Sequence, residues 1–258
     1  MIDRKVLEEK INDAQLVLIG IGEEFDTTKE LQENTRYLQI EEEIKNHEKY
    51  LWMIPYIQNI ILKESGKIQN ALENLRLLVE NKNYFIVSTC MNGLVESAGF
   101  RKDRVVAPCG NYLKMQCRMP DCEHISDTPI WVYEQIDEYV AGKRSLFELS
   151  EMICPECGAV MEFNSLYSEN YKEAGYMKEW GTYTKWLQGT LNKKLCVLEL
   201  GVSLKFPSVI RFPFEKIAYF NQKADFIRIH EKLYQLSEEL GEKGFSQSEN
   251  SVDFLNRI

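Results

Sequence analysis

The chain has 258 residues, a net charge of −9 and 44% hydrophobic residues, enough for one large domain or a domain with an inserted module. The acidic balance argues against nucleic acid as a main partner, because phosphate binding favours a basic face. No uncharged apolar run reaches the ~18 residues of a membrane span, so no membrane partner is expected. The charged start MIDRKVLEEK is unlike a signal peptide, and seven cysteines fit a reducing cytoplasm.

The first long apolar run, over residues 16–19, predicts a buried strand after a short amphipathic helix over residues 1–13. It lacks polar alternation, as expected for a parallel strand covered on both faces. The run leads into Gly20-Ile21-Gly22, and a glycine pair after a first strand lets backbone approach a phosphate. A glycine pair after a strand is often only a tight turn, so these glycines alone are a weak signal for a cofactor.

A helical segment is expected to separate this strand from the next, over residues 27–80. Apolar side chains at positions 68, 71, 72, 75 and 79 recur at helical spacing. This pattern predicts a helix with one buried stripe, which packs into the core.

Residues 84–87 predict a second buried strand, and the polar side chains of Ser88, Thr89, Cys90 and Asn92 follow it. In an open α/β sheet the ligand crevice lies at the carboxyl ends of the strands, so these side chains are expected at a crevice. A third short strand over residues 104–107 leads into Pro108-Cys109-Gly110.

Four cysteines then form two close pairs, Cys117 with Cys122 and Cys154 with Cys157. The pattern is C-x4-C, 31 residues and C-x2-C, with a polar, helical stretch near residues 126–150 in between. A tetrahedral zinc ion needs four converging thiolates, and two pairs on tight turns supply them. Four thiolates leave no open position, so the predicted zinc is structural. Two unrelated pairs of buried thiols are the alternative.

The last third of the chain alternates helix and strand. The predicted elements are a helix with Tyr176, Trp180, Tyr183 and Leu187 on one core face, strands over 195–200 and 226–229, a helix over 231–240 and a frayed polar tail. The turn Gly201-Val202-Ser203 follows the first of these strands. Alternating strands and helices predict an α/β fold with a doubly wound parallel sheet, interrupted by the cysteine module.

The order of these motifs resembles the sirtuins (Sir2 family) over most of residues 14–230, and looks most like the divergent macrodomain-linked sirtuins of microbes. The stretches that carry the resemblance are YFIVSTCMNGLVESAGFRKDRVVAPCG, the paired cysteines and LELGVSLKFPSVIRFPFE. The resemblance implies a Rossmann-like NAD-binding domain over 1–116 and 165–245, with a helical insertion at about 27–80. It also implies a zinc-binding module over 117–164 and leaves a tail over 246–258.

Sirtuins break the nicotinamide–ribose bond of NAD and pass ADP-ribose to an acyl-lysine or, in some divergent members, to another protein side chain. By resemblance, Gly20, Gly22, Gly201 and Ser203 would hold the phosphates of NAD. Thr89 and Asn92 would face the nicotinamide ribose. A protein substrate or partner is implied as well.

The chain departs from the sirtuin pattern at its reactive positions. Glu23 and Glu24 follow the first glycine turn, and a carboxylate beside a diphosphate repels it unless it points away. Cys90 and Asn92 replace an asparagine and an aspartate, and Cys109 stands where deacylating sirtuins have histidine.

The thiol of Cys109 could act as base or nucleophile only if its environment shifted its pKa, and otherwise it is a small residue lining a cleft. Two functions therefore remain open. One is an NAD-dependent transferase of the ADP-ribosyltransferase or deacylase type, with Cys109 and Asn92 as catalytic residues. The other is an inactive sirtuin-like protein that binds NAD, ADP-ribose or a protein partner.

Overall fold

The computed structural model of the protein describes residues 2–26 and 29–257. Its α-helices are α1 (Arg4–Asp13), α2 (Lys29–Glu33), α3 (Thr35–Lys45), α4 (Ile54–Ser65), α5 (Lys67–Val79), α6 (Leu94–Ser97), α7 (Ile130–Val140), α8 (Met177–Gln188), α9 (Arg211–Phe220) and α10 (Ser251–Arg257). Its strands are β1 (Leu16–Ile21), β2 (Asn83–Ser88), β3 (Val105–Val106), β4 (Gly110–Cys117), β5 (Ile125–Asp127), β6 (Met152–Ile153), β7 (Val160–Ser165), β8 (Leu195–Leu200), β9 (Ala224–Ile229) and β10 (Gly244–Gln247). None of the described helices is both long and apolar enough to cross a bilayer.

The larger sheet is parallel and has the strand order β10-β9-β8-β1-β2-β3. The chain builds outward from β1 to β3 on one side and from β8 to β10 on the other. The order therefore reverses between β1 and β8, the switch point at which open α/β sheets bind ligands. This topology confirms the predicted doubly wound α/β fold.

Strand β1 is apolar along its whole length because both of its faces are covered. Val17 and Ile19 belong to one core, which α5 and α10 help to form, and Leu16 and Leu18 belong to a second core under α8 and α9. Successive side chains of a strand point to opposite faces, so a strand between two cores shows no polar alternation.

A smaller antiparallel sheet has the order β5-β4-β7-β6. Strand β4 begins at Gly110, opposite Ser165, and ends at Cys117, opposite Met161. Helix α7, which follows β5, packs against α4 of the helical segment. Residues 107–109, between β3 and β4, link the larger sheet to the smaller one. The predicted boundary at 116/117 falls inside β4, and the division into domains stays a prediction.

The predicted strands and the helix of residues 68–79 are confirmed, although the third strand shortens to Val105–Val106. Helix α8 is also confirmed: Tyr183 is buried, and Tyr176, Trp180 and Leu187 pack against the second core.

The predicted ending of the chain is wrong. Residues 231–240 contain no α-helix; irregular chain leads to a 3-10 helix at Glu238–Lys243, which is followed by β10. The tail is not frayed, because α10 packs on α5 and buries Val252, Phe254 and Leu255. Its seven residues are too few to show helical periodicity in a polar sequence.

One buried ion pair joins neighbouring strands of the larger sheet. Glu199 on β8 and Arg228 on β9 are partners in the parallel register and are 0% and 1% exposed. Arg228 Nε donates to Glu199 Oε1 at 2.6 Å, and Nη2 donates to Oε2 at 3.0 Å. Arg228 also pairs with Glu215 at 2.7 Å and donates to the carbonyl of Gln235. These contacts allow a carboxylate inside an otherwise apolar strand.

We expect Arg228→Leu to lower the free energy of unfolding by about 3–5 kcal/mol, because Glu199 would be left buried without its main partner. Urea unfolding followed by circular dichroism measures this change. The double variant Glu199→Leu/Arg228→Leu should lose less than the single variant, since it leaves no buried carboxylate on β8. A double variant that is less stable than Arg228→Leu would contradict this account.

Candidate functional site

The turns that follow β1, β2 and β8 leave the larger sheet at one edge. The N–H of Gly22 donates to Leu200 O at 2.9 Å, and the N–H of Thr89 donates to Ile21 O at 3.0 Å. The N–H of Gly201 donates to Ile229 O at 2.9 Å. Three residues proposed to contact a cofactor, namely Gly22, Thr89 and Gly201, therefore lie together at the switch point.

The space beside the three glycines is filled by the chain itself. A Cβ added to Gly20 would overlap Ile210, and one added to Gly22 would overlap the backbone of Val202. Gly201 has a φ of +62°, and its added Cβ would meet Glu24 and Ser251 Oγ at 2.6 Å. These glycines are thus required by close packing within the protein and do not border open space.

Glu23 lies directly between the turns after β2 and β8. Its Oε1 accepts a hydrogen bond from Thr89 Oγ1 at 2.9 Å, and its Oε2 accepts one from the N–H of Ser203 at 2.8 Å. The two donors that the sequence assigned to NAD are therefore in contact with a carboxylate of the protein.

Glu24 accepts hydrogen bonds from the turn after β9 and from the first residue of α10. Its Oε1 accepts the N–H of Glu231 at 2.8 Å, and its Oε2 accepts both the N–H and the hydroxyl of Ser251 at 2.7 Å. Only 10% of the Glu24 side chain is exposed. We call the donors of Thr89, Ser203, Glu231 and Ser251 the anion cradle, and Glu23 with Glu24 the carboxylate pair.

Asp26 extends this pattern to the turn after β2. Its carboxylate accepts the N–H groups of Met91 at 2.8 Å and Asn92 at 3.2 Å. Burial raises the pKa of Asp26 to about 7, although the two N–H donors act in the opposite direction. The sequence analysis missed Asp26, and an acidic residue so close to a buried strand was the available signal.

Asn92 is occupied in forming the turn. It is 0% exposed, its Nδ2 donates to Phe25 O at 2.7 Å, and its Oδ1 accepts the N–H of Leu94 at 3.0 Å. The side chain therefore has no free group directed at a ribose. Its predicted catalytic role is not supported by this geometry.

Cys109 is 1% exposed and lies just before β4. Burial, helped by the nearby charges of Glu23 and Asp26, raises the pKa of its thiol to about 12. A thiol with this pKa stays protonated at neutral pH, so it supplies neither a base nor a thiolate nucleophile. Cys90 is also buried, and its thiol donates to Gly22 O at 3.1 Å.

The anion cradle matches the chemistry of a phosphate site, because backbone N–H and hydroxyl groups converge on negative charge. As described, however, its donors and its space are taken by the carboxylate pair. A dinucleotide diphosphate does not fit beside Glu23 and Glu24 in this arrangement, and it would also be repelled by them.

The four predicted cysteine ligands converge at the end of β4, with all their sulfur atoms within 4.8 Å of one another. Cys117 Sγ lies 3.4 Å from Cys157 Sγ, and Cys122 Sγ lies 3.7 Å from Cys154 Sγ. A tetrahedron with zinc–sulfur bonds of about 2.3 Å has edges of about 3.8 Å, so this cluster could hold zinc. The nearby His124 is not part of this cluster, and its Nδ1 contacts Glu156 Oε1 at 3.1 Å.

Comparison with known proteins identifies the fold of this chain. No protein-family model matches the chain. A solved complex of Sir2 with a p53 peptide and NAD+ superposes on 100% of this chain and 97% of its own, with a TM-score of 0.56 and 15% identity. The fold is that of a sirtuin.

Two sequence relatives of this sirtuin-like chain are named for ADP-ribose chemistry. A protein ADP-ribosyltransferase of Staphylococcus aureus (strain Mu50 / ATCC 700699) is 24% identical over 180 residues, which are 68% of this chain and 56% of the relative. A probable bifunctional ADP-ribose hydrolase/ADP-ribosyltransferase of Fusarium oxysporum f. sp. cubense is 25% identical over 139 residues, 52% of this chain and 23% of the relative. The chain thus spans about half, or less, of the length of these relatives.

We expect purified protein to contain about one zinc ion per chain, and Cys117→Ser to lose it and melt at a lower temperature, because structural zinc contributes directly to folding. Elemental analysis and thermal denaturation measure both effects. Cys196→Ala is the matched control, since Cys196 is buried on β8 outside the cluster. Purified protein without zinc would contradict the assignment.

We expect Cys109 to resist iodoacetamide at pH 8 in the folded protein and to react after unfolding in urea, because burial excludes the reagent and holds the thiol protonated. Peptide mass spectrometry measures the modified fraction. Rapid modification of Cys109 in the folded protein would reveal an accessible thiolate and return it to the list of catalytic candidates.

Proposed function

We propose that the chain is a sirtuin-like protein that uses NAD for ADP-ribosyl transfer to a protein side chain, with release of nicotinamide. The observation that carries the proposal is the anion cradle at the switch point, where Thr89 and Ser203 direct donors at negative charge. The names of the two relatives and the NAD in the matched Sir2 complex support the same chemistry.

ADP-ribosyl transfer is favoured over deacylation. Sirtuin deacylation relies on an imidazole base, whose pKa lies near neutrality. Cys109 occupies that position here, and burial raises the pKa of its thiol to about 12. The chain therefore lacks a suitable base at this point, whereas the proposed transfer does not require Cys109.

A second candidate function is a sirtuin-like protein that binds NAD or ADP-ribose, or a protein partner, without turnover. It is supported by Asn92 and Cys109, both of which are buried and committed to the fold. For both candidate functions, zinc is proposed as a structural ion in the four-cysteine cluster. A cytoplasmic location stays an expectation from the composition.

The test is incubation of the full chain with NAD labelled in the adenylate moiety, in the presence of an extract of proteins as acceptors. We expect release of nicotinamide and label on protein. Thr89→Val should reduce both by about ten-fold, because it removes one donor of the cradle at nearly constant volume. Thr184→Val, on an exposed face of α8, is the matched control.

Calorimetry with NAD and with ADP-ribose separates the two candidates. Binding heat without nicotinamide release favours the non-catalytic protein. If titration of the full chain gives no heat with NAD or with ADP-ribose and no nicotinamide is released, both nucleotide-binding functions are contradicted and only the binding of a protein partner remains.

A further inference from the structure

We propose that the carboxylate pair is an internal substitute for the diphosphate, and that displacement of Glu23 and Glu24 sets the affinity of the cleft for NAD. The inference rests on the proposed function, since it requires that a dinucleotide can occupy this edge. It assigns Glu23 and Glu24 as affinity-determining residues.

The contacts of the pair are those of a bound anion. All four carboxylate oxygens accept hydrogen bonds: Oε1 and Oε2 of Glu23 from Thr89 and Ser203, and Oε1 and Oε2 of Glu24 from Glu231 and Ser251. Three of these donors are backbone N–H groups at the ends of strands or at the start of α10. Backbone N–H groups of this kind are what protein sites offer to phosphates.

The carboxylate pair has no direct lysine or arginine partner among the residues that the structure describes. No lysine or arginine forms an ion pair with Glu23 or Glu24 there, although Lys29 and Lys67 line the same surface pocket as Glu24. The basic group in contact with the pair is His230, whose Nδ1 lies 3.2 Å from Glu24 Oε1. That nitrogen accepts the N–H groups of Lys232 and Leu233, so it carries no proton, and burial lowers the pKa of the ring. The cradle is therefore the main stabilising environment of both charges.

The carboxylate pair and a dinucleotide cannot occupy the anion cradle at the same time. Gly201 leaves no space next to Glu24 and Ser251, and the Thr89 hydroxyl and Ser203 N–H each have one hydrogen to donate. A diphosphate gains these donors only after the carboxylates leave. The apparent dissociation constant then equals the intrinsic value divided by the fraction of molecules with an empty cradle.

A purely structural role is the alternative for the pair. In that case the two glutamates hold the strand ends together, and their removal destabilises the protein without creating a binding site. The two accounts agree on stability and differ on affinity, so the binding measurement decides between them.

The experiment is calorimetric titration of NAD and of ADP-ribose into the full chain. The variants are Glu23→Ser/Glu24→Ser and the milder Glu23→Gln, which keeps the size of the side chain and removes its charge. Glu33→Ser, which makes the same change at an exposed position of α2, is the control. Thermal denaturation with and without ligand verifies that each variant is folded, and Glu23→Gln carries the test if the double variant is not.

We expect Glu23→Ser/Glu24→Ser to bind NAD about ten-fold or more tightly than the wild type, Glu23→Gln to lie between them, and Glu33→Ser to match the wild type. Equal and measurable affinities for wild type and variants would overturn the inference and leave the proposed function standing. No binding to wild type or to any folded variant would overturn the inference together with the proposed function.

Discussion

Backbone N–H groups at the carboxyl edge of a parallel sheet have no partner in the sheet, and the rest of this structure depends on how they are satisfied. Here a single four-residue stretch after β1 supplies the acceptors. Glu23, Glu24 and Asp26 reach the turns after β2, β8 and β9 and the start of α10, while Phe25 is fully buried between them. A buried polar group without a partner is costly, so these carboxylates keep the strand ends in register with one another.

The same contacts explain how a sirtuin fold persists around changed reactive groups. Asn92 and Cys109 have become part of the packing at positions where sirtuins place polar reactive side chains. Strand β4 of the antiparallel sheet runs from Gly110, next to Cys109, to the zinc-ligand candidate Cys117. One strand therefore connects the four-cysteine cluster with the residue that precedes β4 at the carboxyl edge of the larger sheet.

The fold was largely predictable because its signals are local. Continuous apolar runs identify β1, β2 and β8, and the cysteine spacing identifies the cluster that the structure brings within 4.8 Å. The contacts of the carboxylate pair were not predictable, because they join residues 180 and 227 positions apart. Sequence reasoning treated Glu23 only as a source of repulsion, since spacing does not reveal which donors a carboxylate meets.

The hydrogen bonds between Glu24 and Ser251 have a consequence for the end of the chain. Glu24 fastens the first turn of α10, and Phe254 and Leu255 hold the remainder of this helix against the protein. A ligand that displaces Glu24 removes both hydrogen bonds to Ser251 and leaves Asn250 Oδ1 as the cap of that first turn. Deuterium uptake by the backbone N–H groups of this turn is therefore expected to rise when Glu24 is displaced, at a distance from the sheet.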